Sequence, residues 1–252
     1  MPDMGPWPPP RTLAAWALPL LLALAACAGQ GEAPPPLPAA EVAVQVPWGQ
    51  REEATYRILR GDDLSGSALF RLERRGDSYV LVQDFRSAGQ PLRDTVTVVV
   101  DAITLKPRRV ERTIAREGEG ERRCQAHYGE GRVVVEQQSE GKSRRDELLL
   151  PPHAYESWAD LFLWRALPLQ RSYRGAYNDM GTCLLRKPGH ALMVLEVVTL
   201  EPVVVPAGRF EAWRLEARSG GQRQTIWIAD TPQRPVVRYD NGTHVFELEA
   251  LR

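Results

Sequence analysis

From Glu41 to the C-terminus, apolar and polar residues alternate in short runs that are broken at close intervals by turn chemistry. In "SALFRLERRGDSYVLVQDF" Ala68, Phe70 and Leu72 share one face. After Gly76-Asp77, Tyr79 and Leu81 alternate with Val80 and Val82. A period of two puts successive side chains on opposite faces of a strand, so this stretch predicts a hairpin. The same grammar recurs in "RTIAREGEGERRCQAHYGEGRVVVEQQ", where two glycine-and-glutamate turns separate three strands, and in "RFEAWRLEARSGGQRQTIWIA", which turns at Gly220-Gly221. In "PVVRYDNGTHVFELEAL" the Asn241-Gly242 pair predicts a hairpin turn, because both residue types tolerate positive φ. One segment changes period. In "PPHAYESWADLFLWRALPL" Tyr155, Trp158, Phe162 and Ala166, with Ala159 and Leu163 beside them, fall at helical spacing until Pro168 stops the run. A sheet of roughly a dozen strands twists and curls, and its concave side is where an amphipathic helix over 154–166 buries its aromatic face. The expected fold is mainly β: a large curved antiparallel meander, a half-barrel, with one helix on the concave side.

The first forty residues follow different rules. The apolar stretch from Leu13 to Ala26 is interrupted by Pro19 and is shorter than the roughly 20 residues a spanning helix needs. Its length and its small residues Ala25 and Ala26 fit the apolar region and cleavage site of an export leader. "LAAC", Leu24 to Cys27, resembles the lipobox of bacterial lipoproteins. That resemblance implies a signal peptide over 1–26 and an acylated Cys27, which would hold the protein to a membrane. It places the protein outside the cytoplasm, lipid-anchored to the cell membrane or outer membrane. The segment 27–40 is rich in proline (Pro34, Pro35, Pro36, Pro38) and carries no apolar period, so it predicts an extended linker. At about 3.1 Å per residue, such a linker reaches up to roughly 40 Å. No second linker interrupts 41–252, which predicts a single domain.

Charge and chemistry narrow the picture further. Basic and acidic residues balance at 32 each. There is thus no basic field to draw nucleic acid, and no polybasic segment beside the anchor. With Cys27 assigned to lipid, Cys124 and Cys183 remain, either as a disulfide of an oxidising compartment or as two buried thiols. Their separation excludes a CxxC arrangement. His127, His153, His190 and His244 lie far apart, and none falls in a short metal-ligand spacing. No GxSxG elbow occurs, and the carboxylates alternate with arginines as on a solvated strand face. These features point to no enzyme, no metal and no cofactor.

Several stretches resemble an envelope family of unknown function related in shape to the Lol-type lipoprotein carriers and receptors: "VVVDAITLKPRRVERT" (98–113), "LFLWRALPL" (161–169), "PAGRFEAWRLEA" (206–217) and "TIWIADTPQRPVVRYDNGTHVFELEAL" (225–251). The resemblance implies a curved sheet that holds acyl chains under lid helices, although this sequence predicts one clear helix where those carriers have several. The aromatic residues expected on the concave side are Trp158, Phe162, Trp213, Trp227 and Phe246, either as core or as the lining of a pocket for an oily ligand. The function expected is non-covalent binding of a hydrophobic ligand or a lipidated partner. The alternative is an interaction module with a filled core.

Overall fold

The computed structural model describes residues 37–252 except positions 43, 90, 185 and 186. The leader, the lipobox cysteine Cys27 and most of the linker lie outside the described residues. The alternating runs form fifteen strands: β1 (Arg51–Arg60), β2 (Asp63–Arg75), β3 (Ser78–Ser87), β4 (Leu92–Asp101), β5 (Pro107–Arg116), β6 (Arg122–Gly129), β7 (Arg132–Ser139) and β8 (Lys142–Leu149). They continue as β9 (Ala154–Glu156), β10 (Arg174–Gly181), β11 (Gly189–Val205), β12 (Gly208–Ser219), β13 (Gln222–Ala229), β14 (Val236–Asp240) and β15 (Val245–Leu251). All join one sheet in the order 8-7-6-5-4-3-2-1-15-14-13-12-11-10-9, so almost every strand pairs with its neighbour in sequence. Every pairing is antiparallel except β9 with β10. The sheet is curved and open.

The helical segment is shorter than its periodicity predicts. Ala154–Glu156 are extended and pair with Asn178, Asp179 and Met180 of β10. A single 3-10 turn, Ser157–Ala159, follows, and only then comes α1 (Asp160–Arg165). The ladder of β10 satisfies backbone groups that a longer helix would have bonded internally, so the strand wins over the first turn. Asp160, Phe162, Leu163, Trp164 and Arg165 are all buried, which places α1 inside the curve of the sheet and leaves it no broad solvent face. Phe162 meets Trp48 edge-on at 6.4 Å and Phe70 at 6.2 Å. Arg165 is clamped at 2.7 and 2.8 Å by both carboxylate oxygens of Glu52, and it donates to the carbonyls of Gln233 and Arg234.

Register defines two ends of the half-barrel. One end holds the Gly76-Asp77 turn, the 102–106 loop and the 230–235 loop; the other holds the Gly220-Gly221 turn and the 241–244 loop. A strap formed by residues 37–42 and 44–49 closes the first end. Its Ala40 N–H bonds the Ala176 carbonyl, its Gln45 N–H bonds the Ala166 carbonyl, and Val42 and Trp48 are buried. Glu41 of the strap accepts from Tyr155 at 2.6 Å and pairs with Lys106 at 2.9 Å. The helix and the strap thus fill one half of the concavity with aromatic and aliphatic side chains. The other half stays open.

The gap left by the missing ladder is bridged by side chains. Lys106 reaches the Ala154 carbonyl and lies 3.8 Å above the Tyr155 ring. Tyr128 of β6 donates its hydroxyl to Glu156 of β9. Cys124 of β6 is disulfide-bonded to Cys183, just past β10, with Cα atoms 5.6 Å apart. Arg112 of β5 donates to the Cys183 carbonyl at 2.8 Å. A row of lateral contacts, one of them covalent, therefore holds the two arms of the sheet together where backbone pairing does not. Beyond this seam, the edge strand β8 exposes Lys142, Arg144 and Arg145, a charged edge that discourages pairing with another chain.

Candidate functional site

The unfilled half of the concavity is a cavity of about 650 Å³. That size lies within the roughly 300–1,000 Å³ usual for small-molecule sites. Its floor is the start of the helical segment, Trp158, Asp160, Leu161 and Trp164, and its rim is the pair of hairpin turns carrying Ser219, Gln222, Asn241 and His244. The wall is built by strand parity. Phe70 and Phe85 point inward from β2 and β3, and Tyr239 and Phe246 from the facing pair β14 and β15, where they are register partners. The rings run as a chain: Trp158 to Phe85 at 6.4 Å, Phe85 to Phe246 at 6.2 Å, and Phe246 to Tyr239 at 5.4 Å. Such centroid spacings are those of favourable offset and edge contacts, so the arc is rigid as well as apolar. The rim is shaped by Asn241, whose side-chain oxygen accepts from the backbone N–H groups of Thr243 and His244. Only Gly242 of the Asn-Gly pair has positive φ, so the turn is a wider, side-chain-capped loop than the two-residue form the pair predicts.

Polar groups enter the cavity at defined points. Arg112 is held at 2.9 and 2.5 Å by both oxygens of Asp94, and its guanidinium carbon lies 4.6 Å from the Trp158 ring centre. The Gln83 side-chain amide donates to the Trp158 carbonyl, whereas the buried indole N–H of Trp158 has no hydrogen-bond partner among the described residues. Ser157 donates to Asp179. Asp160 accepts the Tyr177 hydroxyl at 2.5 Å, and that hydroxyl oxygen accepts the Trp164 indole N–H at 2.9 Å. Burial, with the neighbouring charges of Asp179 and Glu156, holds the Asp160 carboxyl well above its usual range against the pull of the Tyr177 hydrogen bond. Just behind the floor, burial pushes Glu156 up to about 8. Among the described residues no cluster of His, Cys, Asp and Glu has the geometry of a metal site.

A family model described as "Protein of unknown function (DUF3108)" matches residues 53–249, which takes in the helix and the cavity and leaves out the strap. The chain belongs to the DUF3108 family. No curated protein matches it in sequence. In structure, this DUF3108 domain is similar to a β-barrel-like protein of the domain of unknown function DUF1849 from Brucella abortus. The TM-score is 0.51 at 12% identity, over 80% of this chain and 96% of that one. At that identity the likeness is one of fold.

Of the five aromatic residues expected on the concave side of the DUF3108 sheet, the structure brings Trp158 and Phe246 into the cavity. Phe162 belongs to the filled half, packed between Trp48 and Phe70. Trp213 and Trp227 do not line the cavity. Trp213 pairs with Ile228 near the strap end and donates to Asp230, while Trp227 projects from the opposite face between buried Ile226 and Ile228 and donates to Glu201 at 2.7 Å. Tyr239, Phe85, Phe70 and Asp160 are site residues that the sequence pattern did not single out. The signal was present, because Gln83, Asp94, Arg112, Asp179 and Gln224 are polar residues at positions whose register partners or same-face neighbours are core. A polar residue at an inward position marks where the core stops.

Proposed function

We propose that this DUF3108 domain is a non-covalent binding protein that takes an apolar or amphiphilic ligand into the aromatic half of its concavity. The observation that carries this reading is the arc of Trp158, Phe85, Phe70, Phe246 and Tyr239 around an unfilled volume of about 650 Å³. A domain whose only task was to present an outer surface would gain stability by filling that volume, since empty apolar space forfeits packing contacts. The lipobox resemblance at Cys27 adds the proposal that the domain is exported and lipid-anchored in the bacterial envelope, with its ligand a lipid or the acyl chain of a lipidated partner, in the manner of the Lol-type carriers. One helix and a side-chain seam stand where several lid helices would, so exchange in this chain passes through the open rim.

The reading is tested by extracting lipid from the purified protein and identifying it by mass spectrometry, alongside Trp158→Ala and Phe85→Ala variants. A ligand present at one per chain and lost in both variants is the expected result. Protein that is free of ligand, and that binds no acyl-chain or dye probe, would sink the proposal in favour of an interaction module that works through its outer face.

A further inference from the structure

The cavity floor carries a feature that an entirely oily ligand leaves unused. Asp160 is only 5% exposed and lines the cavity, yet among the described residues no cation is paired with it. One of its carboxyl oxygens accepts from Tyr177; the other has no hydrogen bond among the described residues. Above it stands the ring arc of Trp158, Phe85, Phe246 and Tyr239, whose faces carry negative electrostatic potential. Arg112, the guanidinium of the described lining, is not free to hold an anion. Asp94 takes it through two hydrogen bonds, the Cys183 carbonyl takes a third, and its face covers Trp158. Among the described residues, an anionic head group would therefore meet a committed guanidinium and the acidic floor, with the Trp158 indole N–H as the one buried unpaired donor of the lining to hold it. An ammonium group would meet the remaining Asp160 oxygen and the ring faces.

Resting on the cavity reading above, we infer that the ligand is an amphiphilic amine, its ammonium group seated at Asp160 against the Trp158 and Tyr239 rings and its apolar chain lying along Phe85, Phe70 and Phe246. Burial and the neighbouring acids hold the Asp160 carboxyl well above its usual range. Wherever that carboxyl holds a proton the ammonium replaces it, so over that range binding releases a proton and tightens with rising pH, by up to about tenfold per pH unit. Among the described residues, the groups facing Asp160 are Glu156 on β9, Tyr177 and Asp179 on β10, and Tyr239 on β14. The Asp94–Arg112 pair stands across the cavity and His244 on the rim.

The test compares dodecylamine, dodecanol and dodecanoate, one chain with three head groups, binding to the purified protein below their aggregation concentrations. Tryptophan fluorescence reports affinity, and calorimetry in two buffers of different ionisation enthalpy reports the proton. The amine is expected to bind at least about tenfold more tightly than the alcohol at pH 8, with proton release, and dodecanoate most weakly. Asp160→Asn keeps an acceptor for Tyr177 and is expected to erase the amine preference while leaving dodecanol affinity within about threefold. Tyr239→Leu provides a second variant that lowers the preference without touching Asp160, and His127→Asn, on the exposed face of β6 and outside the cavity lining, is expected to leave it unchanged. Equal binding of amine and alcohol, a preference that survives in Asp160→Asn, or one that disappears in His127→Asn would each overturn the head-group assignment. If none of the three probes binds, the cavity reading falls with it.

Discussion

Glu156→Gln tests the electrostatics behind the cavity floor. Glu156 is fully buried; its Oε2 accepts from the Tyr128 hydroxyl and, at 2.8 Å, from the Thr182 hydroxyl. Burial raises its carboxyl from the ordinary 4.5 to about 8, with the Asp179 charge adding to the rise and the two hydroxyl hydrogen bonds opposing it. Between those two values the folded protein holds a proton that the unfolded chain has released. Stability conferred by that proton is complete below about pH 4.5 and is lost as pH rises through about 8, at about 1.4 kcal/mol per pH unit. Glutamine is neutral in both states and keeps an acceptor oxygen for the hydroxyls, so the variant lacks this contribution. Asp160 adds a slope of the same sign to both proteins, and the difference between the two curves isolates Glu156. At pH 5 the two proteins are expected to lie within about 1 kcal/mol of each other. At pH 8 the variant is expected to be the more stable by about 4 kcal/mol, a melting temperature higher by roughly 8–16 °C. Urea melts followed by tryptophan fluorescence between pH 5 and 9 give both curves. A constant offset across that range would refute a buried, proton-holding Glu156.

Replacing both cysteines, Cys124→Ala with Cys183→Ala, removes the covalent tie of the seam. With the cysteines separated by 59 in sequence, the expected loss is about 4 kcal/mol, read as a melting temperature equal to that of the reduced wild type. Arg165→Met leaves Glu52 buried without its partner and is expected to cost about 3–5 kcal/mol, whereas the double change Arg165→Met, Glu52→Met recovers most of that in a denaturant-melt cycle. At Gly66 an added Cβ would lie 2.2 Å from the Arg86 carbonyl oxygen. Gly66→Ala therefore forces β2 from β3 and is expected to destabilise by about 1–3 kcal/mol, with faster amide exchange confined to that hairpin end.

The strand grammar was legible because each hairpin satisfies its own ladder locally, and the Gly76-Asp77 and Gly220-Gly221 turns fall where the alternation breaks. The start of the helix was not, because Ala154, Tyr155 and Glu156 satisfy helical spacing and strand pairing equally well in one dimension. The deciding partner, β10, lies some twenty residues downstream and pairs in parallel. The same limit applies to the site. Trp158 and Phe246 could be placed by size and period, but Trp213 and Trp227 could not, since one sits at the strap end of the sheet and the other on its outer face. Parity within a strand says which residues share a face; only register across fifteen strands says how far along the barrel each one sits. Asp160 was hidden for another reason. An acid beside an apolar run reads as a solvated residue until the fold encloses it.

The strap and the rim lie at opposite ends of the half-barrel, and this gives the domain a polarity. The strap enters at residues 37–41, beside Lys106, His153 and Tyr155, whereas the opening lies between Gln222 and His244. A chain that joins the domain at the strap therefore leaves the rim unobstructed by its own entry segment. A bulky group placed at Ala39 is expected to leave probe binding to the cavity unchanged, whereas the same group at Gln222 is expected to slow it, as read by stopped-flow tryptophan fluorescence. The domain has one end that is held and one that is used.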